Sequence, residues 1–210
     1  MKVKSERYYR CLGITAALLL VAQVVLILLS WLVSSAVPGF HMRSLLNSEG
    51  VRWFFGRFTD NLSAPILVWM VLLTIAVGVL RASGLYDVVC RVVKGDGKLL
   101  FRERFSLWVV VVELLVIGGL IVALTSLHHP ILLSSTGHLI PSPFSRSLVP
   151  VVAFTVTLTS LSFGIASRRI VSFSSATLAA TSAFRAAAPY FVLYVLASQL
   201  CHTVMFVFFL

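Results

Sequence analysis

Glu113 is the one acidic residue set inside a long apolar run, the ninth residue of 105–127. A charged carboxyl in hydrocarbon costs several kcal/mol, so at that depth it is neutral, paired, or turned to a polar cavity. Its chemistry there would be proton coupling. The plainer readings are a neutral side chain in a helix contact, or one near enough to the end of its run to meet water. Asn61 and Gln199 are the other two residues whose type and place suit contact with a solute. Asn61, with Ser63 and Pro65, would aim a helix end at an anion or simply cap it. Gln23, Gln199 and His202 suit hydrogen bonds that tie helices together. His128-His129 lacks a third metal ligand, and Cys11, Cys90 and Cys201 show neither metal nor disulfide spacing. No nucleophile–base pair or metal constellation points to an enzyme.

The elements that would hold these residues are five apolar runs, at 13–33, 64–80, 105–127, 148–166 and 188–210. About 20 apolar residues in a helix cross a ~30 Å hydrocarbon core. Backbone groups in lipid must be paired within the segment, and the alternation of barrel strands is absent, so the runs read as helices. The residues are 59% hydrophobic and 11% charged, which excludes a soluble fold. The expectation is an all-α integral membrane protein, a single membrane domain of about five transmembrane helices.

Charge then sets orientation. The basic residues flanking alternate runs number thirteen on the side of the amino terminus and four on the other. The positive-inside rule places the amino terminus in the cytoplasm and the carboxyl terminus outside, in a cell (inner) membrane. The net charge of +10 reflects this asymmetry. Its residues flank apolar runs without interleaved aromatics, which argues against a nucleic-acid partner. The first run is too long for a signal core and lacks a small-x-small site, so it reads as an anchor.

Between the runs, 44–58 and 170–187 read as interfacial segments. Ser48 is expected to cap the first, with Trp53 and its neighbouring phenylalanines at headgroup depth. The second is rich in Ser, Thr and Ala and leads into Pro189. Pro65 suits a first helical turn. The stretch from Arg81 to Arg104 reads as a short basic loop, and Arg168-Arg169 as a contact for anionic headgroups. Gly118-Gly119 reads as a close-packing surface for another helix.

Several of these segments carry a family likeness. They are Leu45-Leu46-Asn47-Ser48-Glu49-Gly50-Val51-Arg52-Trp53, Asn61 through Ala64-Pro65, and Ala82-Ser83-Gly84-Leu85. They continue with Ile131-Leu132, Thr136-Gly137-His138-Leu139-Ile140-Pro141-Ser142-Pro143-Phe144, Leu148-Val149-Pro150 and Phe163-Gly164-Ile165-Ala166. The last is Ala188-Pro189-Tyr190-Phe191-Val192-Leu193, with Gln199 following. In their order the chain resembles the AbgT family of p-aminobenzoyl-glutamate transporters, over most of residues 37–204.

The resemblance implies a scaffold like that of an elevator-type carrier, whose two inverted repeats each supply a re-entrant hairpin that builds the substrate and cation site. Both hairpin regions lack a counterpart here: the chain passes from Ser83-Gly84-Leu85 across the basic loop to a helix of the second repeat, and Leu210 falls before that repeat's hairpin. No family substrate residue carries over. The resemblance implies transport of a small aromatic-amide substrate or an antimetabolite, with proton or sodium coupling and no cofactor. The missing hairpins imply the alternative, a non-transporting scaffold or remnant that acts with a partner chain. The lipid bilayer is the expected partner in either case, and exposed scaffold faces favour a homodimer or a partner membrane chain.

Overall fold

A computed structural model describes residues 2–36, 42–95, 99–126 and 143–209. Among them the chain forms nine helices and no strand: α1 (Lys2–Ala36), α2 (Ser48–Gly56), α3 (Phe58–Leu62), α4 (Pro65–Ser83), α5 (Leu85–Val93), α6 (Phe101–Ser126), α7 (Pro143–Ala166), α8 (Phe173–Thr181) and α9 (Phe184–Phe208). Five of these, α1, α4, α6, α7 and α9, are long and apolar enough to cross a membrane. The fold is that of a multi-pass membrane protein.

The helix ends differ from those expected. α1 carries on through the basic amino-terminal residues, and α6 starts at Phe101 rather than 105. Arg and Lys are good helix formers, so loss of hydropathy did not end the helix. α9 begins at Phe184 and contains Pro189, and α7 contains Pro150. Proline removes one donor from the ladder but does not force a helix to start at its own position. The expected basic loop after α4 holds a further helix, α5. Gly84 turns the chain there with φ 75°, a left-handed conformation that glycine adopts without steric cost.

The chain divides into two compact units. The first comprises Met1–Val68 and Ala187–Leu210. Its core is Leu45, Phe206 and Val207, with Ile27, Met42 and Trp53 packed against them. The segment expected at 44–58 is two short helices rather than one, and Asn47, not Ser48, is the N-cap of α2: its side chain accepts from the Ser48 amide. Gly50 sits so close to the Ser44 and Leu45 backbone that a Cβ would lie 2.5 Å from the Leu45 Cα. The Leu45 amide in turn donates to the Ser30 hydroxyl of α1 at 3.2 Å. Trp53 turns inward to stack on Phe206, with ring centroids 4.4 Å apart, while Phe55 remains exposed. The indole therefore packs against α9 within the unit.

The second unit is Trp69–Ala186. Leu85, Val88, Val110 and Phe163 form its core and join α5, α6 and α7. The segment expected at 170–187 resolves into α8, opened by a capping box between Ser172 and Ser175, and the start of α9. Gly78 of α4 lies against α8, where a Cβ would come 2.8 Å from the Ala179 carbonyl oxygen. Gly118 and Gly119 have open space above them. No helix packs on that pair among the described residues, contrary to the close-packing reading.

Candidate functional site

Glu113 lies on α6, inside a candidate span, and meets a polar partner from α7. Ser162 Oγ donates to Glu113 Oε1 at 3.2 Å. Glu113 Oε2 is buried and has no hydrogen-bond partner among the described residues. The pair borders a cavity of about 500 Å³, whose other walls are Phe105, Trp108, Val109 and Val112. An apolar concavity with one convergent carboxyl is a common form of small-molecule site. The second carboxyl oxygen lies beneath the apolar lining of this concavity, with its acceptor capacity unused among the described residues.

Asn61 and Gln199 are brought together in the first unit. Asn61 Nδ2 donates to Gln199 Oε1 at 3.3 Å, and both residues are buried. Gln23 Nε2 donates to Thr203 Oγ1 at 3.0 Å, and Thr203 Oγ1 donates to the Gln199 carbonyl at 2.7 Å. Ser198 Oγ donates to the Asn61 carbonyl at 2.7 Å. This network ties α1 and α3 to α9, with Asn61 and Gln199 in direct contact at its centre. Ser63 Oγ donates back to the Asp60 carbonyl at 2.6 Å, within the turn that ends α3. Gln23 Oε1 and Gln199 Nε2 stay buried without partners among the described residues.

A third polar cluster was not evident from sequence. Glu103, only 6% exposed, accepts from Arg91 Nη2 at 2.7 Å and from the Leu100 amide at 3.2 Å. Arg169 Nη2 lies 3.5 Å from the same carboxylate. Arg169 thus pairs with Glu103, a partner not expected for it from sequence, while its side chain stays partly exposed. Gly84 leaves the room this needs, because a Cβ there would overlap the Arg169 guanidinium. The arrangement clamps the ends of α5, α6 and α7 together. On α5, outside the spans, a hydrogen bond with the Cys90 thiol raises the Tyr86 phenol above its ordinary pKa.

Cys11, Cys90 and Cys201 are free thiols. Among the described residues no group of three or more His, Cys, Asp or Glu side chains is placed to hold a metal ion. His128, His129 and most of the 131–144 segments that carry the family likeness lie outside the described residues. No protein-family model, curated protein or solved structure matches the chain.

Proposed function

We propose that this is a membrane transport protein of the p-aminobenzoyl-glutamate and antimetabolite type, coupled to protons through Glu113. The observation that carries this reading is the Glu113–Ser162 pair beside a cavity, with one carboxyl oxygen left over, inside a candidate span. The resemblance of the segments around Leu45–Trp53 and Ala188–Leu193 to the AbgT family supports the solute class. Charge asymmetry supports an amino terminus in the cytoplasm and a carboxyl terminus outside, in the inner membrane. The test is uptake of labelled p-aminobenzoyl-glutamate by the purified chain in liposomes. Saturable uptake above that of protein-free liposomes supports the reading, and its absence opposes it.

One observation favours a second reading, a scaffold subunit that acts with a partner chain. The most apolar window of α1 has none of its residues buried within the chain, and that of α6 only 6%. Lipid would cover such faces, and so would another protein. Crosslinking from cysteines placed on the exposed face of α6 in native membranes tests it: a crosslinked second protein supports the scaffold, and a strictly monomeric chain counts against it.

A further inference from the structure

The first unit carries an excess of positive charge around a cavity that the transport reading does not use. Arg43, Glu49, Arg52, Trp53, Arg57 and Phe206 line about 380 Å³ beside α2. Three guanidinium groups face one carboxylate there. Arg43 is committed: it lies 3.6 Å from Glu49 and 5.8 Å above the Phe206 ring. Arg52 and Arg57 have no ion-pair or hydrogen-bond partner for their side chains among the described residues. An arginine with a carboxylate to meet normally meets it, and two uncommitted forks at one cavity match the planar oxygens of a phosphate or carboxylate.

The surroundings are built rather than loose. Gly50 holds the start of α2 against the Leu45 backbone, and the Arg43 amide donates to the Val207 carbonyl at 3.2 Å. The Arg57 amide donates to the Trp53 carbonyl at 2.9 Å, which fixes the chain between the two free arginines. The Trp53–Phe206 stack forms an aromatic floor. α2 also carries Phe54 and Phe55, with Phe58 following, in ring contact with one another, and Phe55 is 75% exposed. A helix with aromatics beside arginines lies in a membrane interface, where the arginines reach the level of phosphate groups.

We propose that Arg52 and Arg57, over the Trp53–Phe206 floor, form a binding site for an oxyanion, supplied by an anionic lipid headgroup or by a soluble phosphate or carboxylate. The site is independent of Glu113 and of transport.

The experiment uses the full chain in phosphatidylcholine nanodiscs with Trp31, Trp69 and Trp108 changed to Phe, so that Trp53 reports alone. Phosphatidylglycerol in the disc and inorganic phosphate in the buffer are the two probes. A saturable change in Trp53 emission with phosphatidylglycerol alone identifies the headgroup as source; a change with phosphate in pure phosphatidylcholine identifies a soluble anion. In either case Arg52→Gln with Arg57→Gln weakens the response about tenfold or more, since both charge-assisted contacts are lost. Arg52→Lys with Arg57→Lys, which keeps the charges but not the forks, weakens it less than the glutamine pair does, which separates lost charge from lost fold; a lysine variant as weak as the glutamine one overturns the proposal. No response to either probe, or an equal response in the glutamine variant, overturns the proposal.

Discussion

Ser162 Oγ donates to Glu113 Oε1 across 3.2 Å and so links α7 to α6 within two candidate membrane spans. The other carboxyl oxygen is buried without a partner. Ser162→Ala leaves both oxygens unsatisfied and should cost about 1–3 kcal/mol, read as a lower midpoint of thermal unfolding in detergent. Glu113→Gln keeps an oxygen that Ser162 can reach, so its midpoint should stay near that of the wild type.

Gly50 and the Gly118-Gly119 pair should respond oppositely to alanine. Helical Gly→Ala ordinarily stabilises by ~0.5–1 kcal/mol, and open space at Gly118 and Gly119 permits that gain. At Gly50 the new methyl meets the backbone of Ser44 and Leu45, which cannot swing aside. Overpacking of this kind costs about 1–3 kcal/mol. Thermal unfolding of the three single variants distinguishes the sites, and a stabilised Gly50→Ala would show that the close approach is not needed.

Glu103 holds Arg91 and Arg169 together, and its removal strands their charges. Both arginines remain partly exposed, so water moderates the loss. Glu103→Ala should destabilise by about 1–3 kcal/mol. Gly84→Ala should destabilise by ~1–2 kcal/mol, because φ 75° strains a Cβ and Arg169 must move off the carboxylate. Limited proteolysis near Arg169 should speed up in both variants.

Asn61 and Gln199 form one interhelical bond, and a double-mutant cycle with Asn61→Leu and Gln199→Leu should return a coupling of about 0.6–1.7 kcal/mol. A coupling near zero would mean that the pair does not hold α3 to α9.

The five long helices were legible because hydropathy is a local property of the chain. Their ends were not. Pro150 and Pro189 look like boundaries, yet each lies inside a helix whose neighbours tolerate one missing donor. α5 was obscured by Arg91 and the basic residues around it, although Leu85 and Val88, three apart, are the face it buries. Glu113 stood out as a lone carboxyl in an apolar run, but nothing local pointed to Ser162 as its partner. The Asn61–Gln199 bond joins residues 138 apart in the chain. The Glu103 clamp was equally hidden, since sequence does not mark which arginines turn inward. Asn47 and Ser48 are adjacent and both good capping residues, and only the backbone decides between them.

The central claim is proton-coupled transport through Glu113. It is tested most directly by placing wild-type and Glu113→Gln chains in matched liposomes and following labelled p-aminobenzoyl-glutamate with and without an imposed pH gradient. Saturable wild-type uptake that rises with the gradient, and loses that dependence in Glu113→Gln, is the predicted result. Uptake by the wild type that ignores the gradient, or that Glu113→Gln leaves unchanged, would contradict it.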